Sequence, residues 1–199
     1  MFHGEDHFPS CRLLSIWATY LAIAIIGGLA TLTGLILFYA QTGTLDIDSL
    51  SKLKVDRQSL YLPGVLIFIG FAAKAAIFPS HIWLPTAHTA APAPASALLS
   101  GLLTKSGLFG ILVLSSGTFL HDAYWGFMLL ILAIITMVLG AVLAVFSVNI
   151  KRTLACSSMS QLGFILTGIA MQCFLGADND LAVRGTILYM VGHSLIKLV

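Results

Sequence analysis

The apolar run of residues 13–40, which contains no charged residue, constrains this 199-residue chain most strongly. It reads LLSIWATYLAIAIIGGLATLTGLILFYA and exceeds the roughly 20 apolar residues that a helix needs to cross a bilayer. The whole chain is 58% hydrophobic and only 9% charged, whereas soluble domains have about 25% charged residues. Too few polar residues remain to cover such a helix in water. The sequence therefore predicts an all-α integral membrane protein.

Five more apolar stretches follow, each about as long as a membrane-spanning helix. We predict these spans at 61–85, 94–117, 124–150, 153–175 and 181–199. The charged segment 41–60 separates the first two of the six spans. Several later connections are so short that neighbouring helices must pack antiparallel. The prediction is a single membrane domain, a bundle of about six transmembrane helices, without a soluble domain.

The ionisable residues are divided unevenly between the spans and the loops. All eight carboxylates lie outside the predicted spans, at Glu5, Asp6, Asp46, Asp48, Asp56, Asp122, Asp178 and Asp180. The spans and their edges contain basic side chains instead, and those we single out are Lys74, His81, His88, Lys105, His193 and Lys197. A lysine at the centre of an isolated membrane helix costs about 2.5–3.5 kcal/mol on insertion scales. Bases kept at this cost without an acid of their own indicate a functional site.

Lys74 and Lys105 lie in the middle of two neighbouring spans. They are the fourteenth residue of span 61–85 and the twelfth of span 94–117. Burial disfavours the charged form of a lysine and a nearby carboxylate favours it, so a buried lysine can exchange its proton when its partner moves. We therefore predict a polar, hydrated pathway inside the bundle. The alternatives are a structural lysine held by backbone carbonyls, or span boundaries that differ from ours by several residues.

Pro79 adds an irregular backbone to the second span. Because proline has no N–H, the carbonyl of Ala75 loses its helical partner, and the helix should kink or break one turn beyond Lys74. Irregular backbone at membrane depth persists only where it is buried in protein or lines a cavity. Broken helices of this kind bind ions in transporters. A proline kink without a functional role is the alternative.

The histidines in the spans suit proton transfer better than metal binding. His193 and Lys197 are four residues apart and share a helix face, and His81 and His88 are seven apart. A neutral imidazole relays protons through its two nitrogens. A metal site would need further ligands, and the spans contain no carboxylate. We predict no metal and no cofactor.

The cysteines and tryptophans carry no predicted chemistry. The three cysteines have no C-x-x-C spacing, so neither redox nor metal chemistry is expected at Cys11, Cys156 and Cys173. The three tryptophans fall near span ends, and we predict interfacial anchors at Trp17, Trp83 and Trp125.

Four segments together resemble a known family. They are KAAIFPSHIWLPTAH at 74–88, SALLSGLLTKSGLFGILVL at 96–114, IKRTLACSSMSQLGFILTGIA at 150–170 and HSLIKLV at 193–199. In this order they resemble the proton-translocating antiporter-like subunits of respiratory complex I. That family also includes Mrp-type sodium/proton antiporter subunits and the membrane arms of energy-converting hydrogenases. Lys105, where some members carry histidine, is most similar to the M-type and Mrp D-type branches.

The resemblance implies roles for individual residues. Lys74 matches the central lysine of a discontinuous helix, which pairs with a glutamate on an earlier helix. Lys105 matches the lysine or histidine that passes protons to the middle of the channel. His193 and Lys197 match the pair that continues this hydrophilic axis. Ser157, Ser160 and Gln161 match a pattern of serine and glutamine in the family. The resemblance implies that this pattern serves packing or hydration.

The resemblance also implies that the chain is incomplete. Family members have about fourteen spans built around two inverted repeats, so six spans are a fragment of that fold. The glutamate partner of Lys74 is expected on a helix before span 13–40. A terminal lysine or glutamate of the exit path is expected after Val199. Thr86 replaces the aspartate of the frequent LPDAH sequence, which removes a carboxylate near the channel.

Three functions remain open at this stage. The first is translocation of protons or another cation, without redox chemistry in this chain, by a multi-pass subunit of a complex I-like or Mrp-like complex. Its partners would be other membrane subunits and lipid, and the net charge of +2 suggests no nucleic acid. We expect a bacterial or archaeal cytoplasmic membrane, or an organellar inner membrane. The second is a truncated, non-conducting structural subunit, and the third, which no cofactor motif supports, is a quinone-binding subunit.

Overall fold

The computed structural model describes residues 7–46, 57–175 and 179–198, which are helical throughout apart from turns and short connections. The helices are α1 (His7–Thr42), α2 (Arg57–Ala75), α3 (Trp83–Ala90), α4 (Ala93–Leu98), α5 (Thr104–Gly117), α6 (Ala123–Val145), α7 (Ile150–Phe174) and α8 (Asn179–Leu198). A 3-10 turn at Ser80–Ile82 precedes α3, and a π-helical turn at Leu99–Leu103 joins α4 to α5. The residues from the predictions above that lie outside the described part are Glu5, Asp6, Asp48, Asp56, Asp178 and Val199.

Five helical segments in the described part are long and apolar enough to cross a membrane. They cover residues 14–42, 58–90, 94–117, 123–145 and 150–174. They correspond to the first five predicted spans, and the second runs through the break near Pro79. Helix α8, where the sixth span was predicted, is not among them, and its 20 residues include Arg184, His193 and Lys197. The all-α membrane bundle is confirmed.

Small residues bring the helices close together. Helices α6 and α7 form the most extensive pair, and α1 packs along α2. A Cβ atom at Gly163 of α7 would lie 2.7 Å from the backbone nitrogen of Met137 on α6, and one at Gly140 would lie 2.5 Å from the nitrogen of Ser160. Close backbone approach at glycine is typical of helix pairs in membranes. This pair positions α7 as the central helix of the bundle, against which α3, α5 and α8 also pack.

Two of the three tryptophans lie in the interior. Trp83 is 2% exposed and donates its indole N–H to the carbonyl of Ala73 at 2.9 Å. Trp125 is 1% exposed and donates to Oγ of Ser115 at 3.1 Å. The predicted interfacial role is therefore wrong for both. Each ring can be buried because its single N–H has an acceptor inside the bundle.

Asp122 is a buried carboxylate with a structural role at the start of α6. Its Oδ1 accepts hydrogen bonds from the backbone nitrogens of Tyr124 at 3.0 Å and Trp125 at 3.1 Å. The hydroxyl of Tyr61, on α2, donates to Oδ2. An aspartate at this position satisfies N–H groups that the first turn of a helix leaves free. Asp122 thus fixes the start of α6 against α2.

Candidate ion pathway

The second span is broken where Pro79 predicts it. Helix α2 ends at Ala75, Ala76 adopts a left-handed conformation with φ of 54°, and the chain becomes helical again at Ser80. We call residues 76–79 the helix break. Ala75, Ala76 and Ile77 are fully buried. The first half of the helix break, Ala76 and Ile77, therefore lies within protein, whereas Phe78 is half-buried and Pro79 is exposed.

Two side chains hold the helix break in place. The backbone N–H of Phe78 donates to Oγ1 of Thr136, on α6, at 3.1 Å. The indole of Trp83 reaches back to the carbonyl of Ala73, which lies in the last turn of α2. These bonds satisfy polar groups that an uninterrupted helix would satisfy internally. The break is thus tied both to α6 and to α3.

Replacing Thr136 with valine is expected to loosen the helix break. Valine has the shape of threonine but cannot accept the hydrogen bond from Phe78, and leaving such a donor without a partner costs about 1–2 kcal/mol. We expect a lower midpoint of thermal unfolding in detergent. Thr167→Val is the matched control, because the Thr167 hydroxyl bonds only to the carbonyl of Gly163 in its own helix. Equal midpoints for the two variants would contradict this role of Thr136.

Four of the six bases predicted in the spans come together in the structure. His88 on α3, Lys105 on α5, and His193 and Lys197 on α8 form what we call the basic cluster. The two lysines lie within electrostatic range of each other and of both imidazoles. His88 is 4% exposed, Lys105 6% and His193 7%, so the cluster is largely interior. No salt bridge joins it to a carboxylate within the described residues.

Backbone carbonyls hold the two lysines, and serine hydroxyls link the residues that supply these carbonyls. Lys105 donates to the carbonyl of Ser100, and Lys197 donates to the carbonyl of Leu154 at 3.4 Å. The hydroxyl of Ser100 donates to Oγ of Ser158 at 3.2 Å, and Ser158 donates to the same Leu154 carbonyl at 2.8 Å. A chain of hydrogen-bonded residues therefore runs from one lysine to the other. Carbonyl contacts of this kind were also expected for a purely structural lysine.

The imidazoles of the basic cluster keep free nitrogens. Nδ1 of His88 lies 2.5 Å from Oγ of Ser96, while its Nε2 is buried without a hydrogen-bond partner among the described residues. Both ring nitrogens of His193 are likewise buried and unpartnered within that part of the chain. Buried polar atoms normally bond to protein or ordered water. These nitrogens therefore lack the hydrogen-bond partner that a buried imidazole normally has.

A groove between α7 and α8 reaches the basic cluster. It has a volume of about 550 Å³. Its polar lining residues are Ser157, Gln161, Tyr189, His193 and Lys197. The hydroxyl of Tyr189 donates to Oε1 of Gln161 across it. We refer to it as the α7–α8 groove.

Lys74 and His81 lie outside the basic cluster. Lys74 is exposed in the last turn of α2 and has no hydrogen-bond or ion-pair partner in the described part of the chain. The prediction that it is buried is wrong for this part, because no described helix covers that face of α2. His81 stacks on Phe78, with ring centroids 5.7 Å apart, and its Nδ1 is buried without a partner among the described residues.

Sequence reasoning missed the serines that join the lysines. Ser96 and Ser100, with Thr104, recur every four residues and so lie on one face of the segment that leads into α5. Ser158 lies on the face of α7 that meets this segment. The four-residue recurrence of hydroxyls in an otherwise apolar stretch was the available signal.

The whole bundle except its first residues matches a family model. Residues 17–199 match the model described as NADH:quinone oxidoreductase/Mrp antiporter, TM. The chain belongs to this family. The predicted resemblance is confirmed, and a multi-pass membrane location follows from the family and from the five apolar helices.

Several curated relatives and solved structures are similar to the chain. NAD(P)H-quinone oxidoreductase chain 4 1 of Picosynechococcus sp. is 36% identical over 94% of this chain and 36% of its own length. Hydrogenase-4 component B of Escherichia coli is 34% identical over 89% of this chain and 28% of its own. A chain of the Mrp complex from Dietzia sp. superposes with a TM-score of 0.83 at 26% identity, over 93% of this chain and 34% of its own. A chain of the membrane-bound sulfane sulfur reductase, an archaeal respiratory membrane complex, gives 0.80 at 27% identity, over 94% and 38%.

These relatives are much longer than the chain described here. The chain spans about a third of their length.

Proposed function

We propose that the chain is part of a membrane subunit that translocates protons or another cation, and that the basic cluster is a segment of its path. The observation that carries this proposal is the position of His88, Lys105, His193 and Lys197. Four bases from three helices come together, three of them buried and Lys197 partly exposed, and within the described residues no carboxylate pairs with them. Ionisable residues inside a membrane protein are typical of ion paths and proton relays.

The cluster has the parts that a proton relay needs. Lys105 and Lys197 exchange protons at Nζ, and the ring nitrogens of His88 and His193 both accept and donate. Like charges repel, so a proton that arrives at one member favours release from another. The backbone carbonyls of Ser100 and Leu154 position the two ammonium groups, and the hydroxyls of Ser100 and Ser158 link these two residues.

Lys74 would act in the same path with a partner from outside this chain. An ammonium group in the middle of a 33-residue apolar segment, 58–90, is costly when it faces lipid. We assign it a carboxylate partner on a part of the longer protein that the described helices do not include.

The names of the relatives support a place in a multi-subunit complex. The relatives are named as a chain of an NAD(P)H-quinone oxidoreductase and as a component of a hydrogenase, and the solved neighbours belong to an Mrp complex and an archaeal respiratory complex. We propose that this subunit likewise works beside other membrane subunits, and that redox chemistry takes place elsewhere in the complex.

The proposed function is tested on the full-length protein in its complex. The complex is reconstituted into liposomes that contain a pH-sensitive dye, and internal pH is followed after energisation, with and without a sodium ionophore. We expect proton movement, and its dependence on the ionophore distinguishes H⁺ from Na⁺ as the transported ion. If the complex still assembles without this subunit, and neither its proton flux nor its sodium flux changes, the non-conducting structural alternative is supported instead.

A further inference from the structure

We propose that the hydrogen bond between Tyr189 and Gln161 crosses the α7–α8 groove between its Gly185 end and His193, and controls access to His193 from that end. Tyr189 lies on α8 and Gln161 on α7, so the bond crosses the groove. Control of access is a property of the groove itself. Its consequence for proton transfer rests on the proposed function.

The position of His193 between two interhelical hydrogen bonds carries the proposal. Helices α7 and α8 run antiparallel, with Lys197 opposite Leu154 and Tyr189 opposite Gln161. His193 is four residues from each of Lys197 and Tyr189 on α8, so all three lie on one face of the helix. One bond therefore lies a turn before the imidazole and the other a turn after it.

The state of the imidazole shows why access to it matters. His193 is only 7% exposed, lines the groove, and has no hydrogen-bond partner for either ring nitrogen among the described residues. A buried imidazole in this state needs water or another polar group that reaches it through the groove. The Lys197 side of His193 belongs to the basic cluster. The Tyr189 side of the groove leads away from the cluster toward Gly185 and Leu188. The Tyr189–Gln161 bond therefore separates that end of the groove from His193 and the basic cluster.

The tyrosine hydroxyl can be removed without losing the ring. Tyr189 is 39% exposed, and its ring packs on Phe164 with centroids 5.0 Å apart. Tyr189→Phe keeps this contact and deletes only the donor. Gln161→Leu deletes the acceptor from the other helix. The two variants should therefore have the same effect, and the double variant should add little to either.

The test measures the reactivity of His193 in membranes that contain the full-length protein in its complex. Membranes are treated with diethyl pyrocarbonate, which acylates neutral imidazole, and the modification rates of His193 and His88 are read from the same digest by mass spectrometry. His88 lies in the basic cluster but not in the α7–α8 groove, so it is an internal reference. Tyr124→Phe is the matched control, because Tyr124 is 85% exposed and lies far along the chain from the groove.

The expected result is specific to one residue. Loss of one hydrogen bond should raise the rate at His193, relative to His88, between about twofold and tenfold in Tyr189→Phe and in Gln161→Leu. Tyr124→Phe should leave the ratio unchanged. An unchanged ratio in both groove variants, or an equal rise at His193 and His88, would overturn the proposal. If Tyr189→Phe does not accumulate, the ratio in Gln161→Leu decides. Because the readout is not transport, loss of the proposed function would leave this result intact.

Discussion

Lys105→Met is expected to lower ion flux by roughly 10²-fold or more, the lower end of what a positioned proton-transfer group contributes. Methionine fills nearly the same space but cannot carry a proton. The measurement is flux in liposomes that contain the full-length protein in its assembled complex. The same variant should unfold at an equal or higher temperature, because burying an ammonium group without a carboxylate is unfavourable.

The stability of this variant separates transport from structure. The carbonyl of Ser100 keeps a second donor, the hydroxyl of Thr104 at 3.0 Å, so removal of the Lys105 ammonium group leaves no acceptor unpaired there. If Lys105 were only structural, the variant would lose stability and keep its flux. Lys151→Met is the matched control: Lys151 also donates to a single carbonyl, that of Ala91 at 3.2 Å, but it is exposed at the start of α7. It should change neither quantity.

Lys74→Met is expected to abolish transport while the complex still assembles. Lys74 contacts no polar partner in the described part of the chain, so its replacement removes no interaction that these helices need. Its proposed partner carboxylate would lose its positive neighbour, and the coupling between them would disappear. Flux and the yield of assembled complex are the two measurements. Unimpaired transport in the assembled complex would exclude Lys74 from the path.

Local features of the path could be predicted from the sequence because they depend on neighbouring residues. Proline in a helix interior removes a backbone hydrogen bond, and Pro79 marked the helix break within one turn, although Pro63 is accommodated inside α2. The pairing of His193 with Lys197 on one face followed from their spacing of four. The five longest spans followed from length and apolar composition alone.

Tertiary features of the path could not be predicted in the same way. His88 joins the basic cluster because α3 packs on α7, and no spacing in the sequence encodes that contact. Burial of Lys74 was predicted from its depth in a span, but exposure depends on which helices cover α2. Trp83 was assigned to an interface from its position near a span end, whereas the break turned it inward toward Ala73.

If residues from different helices form one path, the combined variant His88→Gln/Lys197→Gln should show it in ion flux. His88 lies on α3 and Lys197 on α8. The fold brings them within electrostatic range of each other. In one serial path, ion flux through the double variant should equal that of the slower single variant, because groups that act as a unit are not additive. A double-variant flux equal to the product of the two single effects would show that the residues act independently and would contradict the account.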